Sequence, residues 1–147
     1  FYKINYNIIS PSAVYGPSDM NRRVSQIFIE KALMGKTINI QGRDEALDFT
    51  FVKDTANGFV LSAINPRINN QIFNVTYGKA QSLLKFAQTL RKFIPGLKFK
   101  ISPRDKFRPK RGTLSISKAK KLLKYRPKYN LETGIKEYLS FYKKNKI

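Results

Sequence analysis

The 147-residue chain contains no histidine and no cysteine. Without them the usual neutral-pH general base, the usual transition-metal ligands and any disulfide framework are missing. Acid–base chemistry would fall to Tyr, Lys, Asp or Glu, and no metal site is expected. What the sequence offers instead is guanidinium. Arg22 and Arg23 follow a tight corner at residues 12–17, and residues 103–112 carry Arg104, Lys106, Arg108, Lys110 and Arg111. Arginine grips phosphate oxygens through paired N–H donors and stays charged, so a phosphate-bearing small molecule would benefit from these guanidiniums. Asp48 and Asp54 read as a strand-end and a helix-cap residue rather than as reacting acids. A dinucleotide-binding turn needs glycines after a strand and opening a helix, so that backbone N–H groups meet the pyrophosphate. None of the eight glycines is so placed.

Several elements must hold those side chains. Residues 4–9 (Ile, Asn, Tyr, Asn, Ile, Ile) predict an extended strand running into the corner Ser12, Ala13, Val14, Tyr15, Gly16, Pro17. Proline fixes its own φ there and keeps the preceding glycine out of the helical region, which enforces a turn. The spacing of Val24, Ile27, Phe28 and Leu33 predicts a helix over 24–33, stopped at Gly35. Alternating strands are predicted at 37–40 and 47–52. Ala56, Phe59, Val60 and Ala63 mark the apolar face of a helix over 54–64. A strand over 71–77 leads to a helix over 83–93 capped by Ser82, with Leu83, Phe86, Ala87 and Leu90 facing inward. Residues 98–102 suit a lysine-guarded edge strand. Two closing helices follow, 117–124 behind Ser117 and 131–142 behind Asn130. Strands alternating with helices make the fold class α/β.

The formal charge is +20, from 29 Lys plus Arg against 9 Asp plus Glu. Lysine is spread over the whole length and travels with many Ile and Asn, the usage of an A+T-rich coding sequence. The charge therefore reads mainly as a solvated surface with added attraction for a small anion. Hydrophobic residues make up 41%, enough for one ordinary domain that buries roughly 68–70% of its unfolded surface. No apolar run approaches a membrane span and no signal peptide opens the chain, so a cytoplasmic location and no membrane partner are expected. The sequence starts on Phe1 rather than Met, within an approaching strand, and reads as a fragment.

Four stretches, in order, resemble the second half of the extended short-chain dehydrogenase/reductase family, the NAD-dependent nucleotide-sugar epimerases and dehydratases. Residues 12–17 resemble its strand-end pattern closing in Val, Tyr, Gly, Pro. Residues 47–54 (Leu, Asp, Phe, Thr, Phe, Val, Lys, Asp), with Ala56 and Gly58, resemble its aspartate–aromatic–valine–aspartate signature. Residues 72–78 resemble its Phe, Asn, Val, then Gly stretch. Residues 117–123, then Pro127, Leu131, Glu132 and Gly134, resemble its closing two-helix pattern.

The resemblance implies the C-terminal, substrate-binding part of a Rossmann-type fold with the dinucleotide-binding half missing. It makes residues 1–147 a single incomplete domain, with 1–17 the last part of the Rossmann sheet and its turn, and 18–147 mainly a substrate-binding subdomain. By the same resemblance Ser12, Ala13 and Val14 would lie against the nicotinamide of NAD, and Arg23, Arg108 and Arg111 would bind a nucleoside-diphosphate sugar, with Arg22 and Lys110 as weaker candidates. NAD binding is implied for the complete protein, not for this chain alone. The family's base is a Tyr followed four residues later by Lys, whose cation lowers the phenol pKa. Tyr142 and Lys146 have that spacing but sit at the end of the last helix, where burial and tuning are not expected. No catalytic residue is assigned; the implied pair lies before Phe1. Departures from the family pattern fall at Ser10, Ala13, Leu47 and Ser115, where Arg, Asn, Arg and Asp respectively are common or occur.

These expectations define a nucleotide-sugar-binding portion of an NAD-dependent epimerase or dehydratase, inactive by itself. It would leave an apolar face uncovered near the opening strand, awaiting an N-terminal Rossmann half, and the complete protein could form a homodimer. Two readings stand beside it, a basic nucleic-acid-binding module suggested by the charge and a noncatalytic remnant of the same family.

Overall fold

The structure is a computed structural model and describes residues 3–145. In chain order the elements are β1 (Asn7–Pro11), β2 (Val14–Tyr15), α1 (Val24–Leu33), β3 (Ile38–Gln41), β4 (Ala46–Leu47), β5 (Thr50–Phe51), α2 (Val52–Ala63), β6 (Gln71–Val75), β7 (Gln81–Ser82), α3 (Leu83–Phe93), β8 (Phe99–Ser102), a π-helical turn at Ala119–Leu123, and α4 (Leu131–Asn145). The strands pair two by two. β1 lies parallel to β6, β2 to β5 and β3 to β8, while β4 and β7 are antiparallel. The fold is thus mixed α/β with mostly parallel pairing, because each long crossover contains a helix.

The opening strand lies three residues later than its apolar run suggests, and the predicted strand over 47–52 does not exist as one piece. Its start forms β4, Asp48 and Phe49 leave the ladder, Thr50 and Phe51 form β5, and α2 begins at Val52. The cause is Asp48. Its carboxylate is fully buried and gathers hydrogen bonds from other loops, so the chain bends around it.

The faces of two helices also differ from expectation. On α1 the buried set is Ser25, Gln26, Phe28, Ile29 and Ala32, a face offset from the expected one, and Leu33 points outward. On α2 the order is inverted: Asp54, Thr55, Gly58 and Ser62 are buried, while Phe59 and Val60 are about half exposed. Gly58 explains the orientation. A Cβ there would fall 2.2 Å from Val75 Cγ1, so the helix backbone packs directly on β6. Of the expected caps, those of Ser82 and Asn130 form, whereas Ser117 caps nothing: its own N–H donates to Ser115 Oγ at 3.4 Å, and the π-helical turn that replaces the predicted helix has no side-chain cap. Ser82 Oγ accepts the Lys85 N–H at 3.0 Å, and Asn130 Oδ1 accepts the Thr133 N–H at 2.9 Å.

Two cores result. The larger joins Tyr15, Phe28, Ile29, Ile38, Phe51, Phe86, Ile135 and Tyr138. The smaller joins Phe73, Val75, Ile116, Leu123 and Tyr125 beneath β6. Only one face of the β1–β6 pair is covered. Register partners Ile8 and Ile72 point to the other side and stay 47% and 58% exposed. Among the described residues no helix is long and apolar enough to cross a membrane.

Candidate functional site

The corner at residues 12–17 divides its side chains between core and surface. Tyr15 turns inward, edge-on to Phe49, Phe51 and Phe86. Burial pushes its phenol well above the ordinary tyrosine range, with the charge of Asp54 adding to the effect. Gly16 is required at φ +155°, since a Cβ would fall 2.4 Å from Val52 Cγ1. Ala13 takes φ +41°, a left-handed conformation unusual for alanine. That twist turns Ala13 and Val14 toward a cavity of about 470 Å³.

Three guanidiniums reach this cavity from two other segments. Arg23 enters from the start of α1, and Arg108 and Arg111 from the basic loop. Arg23 is oriented by its own neighbourhood, donating from Nη1 to the Val14 carbonyl at 3.2 Å. Arg108 Nε lies 3.5 Å from Asp105 Oδ2 within the loop. Neither a hydrogen bond nor an ion pair engages Arg111 among the described residues. The walls between the charges are apolar, with Val24, Leu47, Phe49, Leu83 and Pro109. A cavity lined in this way suits an anion that also carries apolar or aromatic surface.

Of the six residues expected at a site, five line the cavity and Ser12 does not, although Pro11 and Ala13 on either side of it do. Arg22 is also outside it. Its backbone is left-handed at φ +50° and its N–H donates to Gln26 Oε1 at 2.8 Å, so it shapes the entry to α1. Lys110 lines a neighbouring cavity of about 590 Å³ with Arg43, Arg104 and Arg111. Arg111 and Glu45 border both spaces. Sequence reasoning missed Gln41 and Glu45 as lining residues. Glu45 ion-pairs with Arg104, and no local pattern announces a pair so far apart in the chain.

The two aspartates are structural, as expected, though Asp54 caps nothing in its own helix. Its carboxylate accepts the N–H groups of Lys128 and Tyr129, both at 2.9 Å, and so ties α2 to the entrance of α4. Asp48 is the centre of a similar clasp. Among the described residues no acid–base dyad lines the cavity. Burial raises the phenols of Tyr125 and Tyr138 along with Tyr15, which is opposite to what a tyrosine base needs. Tyr142 stacks on Tyr138 at 5.4 Å, and Lys146 lies outside the described residues. Three or more potential metal ligands nowhere cluster among the described residues.

Residues 1–76 match the family model described as the NAD dependent epimerase/dehydratase family. A UDP-glucuronate 4-epimerase of Thermodesulfobacterium geofontis is 31% identical over 148 aligned residues, covering 98% of this chain and 45% of that protein. The UDP-glucose 4-epimerase of Thermotoga maritima, solved with UDP-glucose, superposes with a TM-score of 0.86 at 27% identity, covering 99% of this chain and 48% of that one. The UDP-glucuronic acid 4-epimerase of Bacillus cereus, solved with UDP-glucuronic acid and NAD, gives 0.83 at 25% identity, with coverage of 94% and 45%. The chain spans less than half the length of each of these proteins. The family match runs from the opening strand through β6, so it includes both the corner and the parallel partner that holds it. With the ordered motifs, the α/β fold and the arginine-lined cavity, this makes the chain a member of the NAD-dependent epimerase/dehydratase family.

Proposed function

We propose that the chain is the C-terminal, nucleotide-sugar-binding portion of an NAD-dependent nucleotide-sugar epimerase or dehydratase. The observation that carries this reading is the convergence of Arg23, Arg108 and Arg111 on one apolar-walled cavity from two separate segments. The guanidiniums hold the diphosphate, and the apolar walls receive the groups on either side of it. Residues 1–17 form the last strand and turn of the Rossmann sheet, and residues 18–147 mainly form the substrate-binding subdomain.

The described residues fit only an edge of NAD. Ser12, Ala13 and Val14 offer one short strand end to a nicotinamide, and no glycine turn offers N–H groups to its pyrophosphate. The uncovered face fits the same picture. Parallel strands are normally buried on both sides, and the exposed Ile8 and Ile72 provide apolar surface on the uncovered side for an N-terminal Rossmann half.

The test has two parts. UDP-glucose titrated into the chain is expected to bind saturably, and Arg111→Ala is expected to weaken it about tenfold, the scale of a lost charged hydrogen bond. Unchanged affinity in that variant contradicts the assignment. With NAD added, the chain alone is expected to convert neither UDP-glucose nor UDP-glucuronate, and turnover of either contradicts it.

A further inference from the structure

One short segment grips the basic loop at both ends. Where the loop begins, Glu45 ion-pairs with Arg104, and Arg104 Nη2 in turn donates to the Arg108 carbonyl. Where it ends, Asp48 accepts the Leu114 N–H at 3.1 Å. Between these two carboxylates, Leu47 lines the cavity that Arg108 and Arg111 enter from above. Residues 103–113 contain no helix or strand past Ser102, so Arg108 and Arg111 owe their placement to these end anchors.

Asp48 is fully buried, and no Lys or Arg among the described residues forms an ion pair with it. Its charge is instead met by four donors. Oδ1 accepts from Gly78 N at 3.0 Å and Lys79 N at 3.3 Å; Oδ2 accepts from Thr76 Oγ1 at 2.9 Å and Leu114 N. Backbone N–H groups aimed at a carboxylate make short, directional, charge-assisted bonds. Two further contacts hold this end of the loop, Ala80 N to Thr113 Oγ1 at 2.9 Å and Asn74 Nδ2 to the Ser115 carbonyl at 3.0 Å, but both are exposed to water. The Asp48 clasp is the stiffer one, because its carboxylate is fully buried and its bonds are charge-assisted and less open to water than those two exposed contacts.

We propose that Asp48 is a positioning residue for anion binding: through the Leu114 N–H it fixes the far end of the basic loop and so aims Arg108 and Arg111 into the cavity. This rests on the reading of that cavity as the diphosphate site. The geometry also says what asparagine would do here. An amide has one accepting oxygen. With its NH₂ at the Oδ1 position it would face two backbone donors. At the Oδ2 position it would face only Leu114 N, since the Thr76 hydroxyl can turn and accept. Asp48→Asn therefore releases Leu114 and keeps the 78–79 turn.

The experiment compares Asp48→Asn with Asp54→Asn, an identical change in the other buried carboxylate clasp, which holds Lys128 and Tyr129 away from the cavity. Amide exchange and UDP affinity are read where each variant is folded. The expected result is slow Leu114 exchange in the unsubstituted chain, lost in Asp48→Asn while Gly78 stays protected. UDP binding falls about tenfold in Asp48→Asn, with a shallower salt slope as fewer cations engage, and stays unchanged in Asp54→Asn. Fast Leu114 exchange in the unsubstituted chain, or equal affinity losses in the two variants, overturns the proposal. Should Asp48→Asn fail to fold, Leu114→Pro deletes the one N–H and leaves Asp48 its other three bonds. It must weaken UDP similarly, and unchanged affinity overturns the proposal. If the unsubstituted chain does not bind UDP, the diphosphate reading falls alone, and the exchange data still decide whether Asp48 holds the loop.

Discussion

At Gly134 the structure makes its most exacting demand on a single residue. A Cβ there would lie 2.0 Å from Tyr15 Oη, in the interior of the larger core, where neither group can retreat. Gly134→Ala is expected to cost about 1–3 kcal/mol in denaturant unfolding, the usual range for overpacking, and an unchanged midpoint contradicts the contact. Ala13 makes the opposite case. Its φ of +41° is one that asparagine tolerates better, so Ala13→Asn is expected to stabilise by roughly 0.5–1 kcal/mol in the same measurement. The buried phenols set a pH limit. Tyr15, Tyr125 and Tyr138 have folded pKa values raised above the unfolded value of 10.0. Their contribution to stability is therefore complete below pH 10 and is lost as pH rises beyond it. In an alkaline absorbance titration these three should ionise only with unfolding, and their early titration would contradict their burial.

At the scale of elements, turn and cap chemistry was the most readable part of the sequence. Ser82 and Asn130 start α3 and α4 as expected because a cap needs only a side-chain oxygen within three residues. Periodicity served less well. It placed α1 and α2 in the chain but assigned their faces wrongly, since α2 presents its small and polar residues to β6 and its apolar ones outward. An apolar stripe shows that some surface needs covering and does not say by what. For Gly58→Ala two effects compete. Helix propensity gains about 1 kcal/mol. The clash with Val75 costs about 1–3 kcal/mol. The close approach of 2.2 Å makes the clash prevail, so net destabilisation is expected on thermal unfolding. A stabilised variant would show that α2 sits farther from β6. The predicted strand over 47–52 failed for a different reason, because the four donors that bend the chain around Asp48 come from residues 76–79 and 114.

For the molecule as a whole, the fold class and the family were legible because four spaced motifs fall at backbone-critical places, among them the Gly16 corner, the Gly58 contact and the Gly134 contact. The cavity was legible only in part. Arg23, Arg108 and Arg111 could be named from the resemblance, but the loop that carries Arg108 and Arg111 is tied at its ends by long-range contacts of Glu45 and Asp48 that no spacing encodes. The net charge of +20 suits either a small polyanion or a nucleic acid, and composition does not choose between them. What supports the small polyanion is that Arg23, Arg108 and Arg111 border one apolar-walled cavity instead of forming an open basic stripe. The most direct test is an equilibrium titration of the chain with UDP-glucose over a range of salt, beside a single-stranded oligonucleotide. Saturable one-to-one binding of UDP-glucose that Arg111→Ala weakens is expected, with only weak oligonucleotide binding that salt abolishes. Tight, steeply salt-dependent oligonucleotide binding with no saturation by UDP-glucose would contradict it.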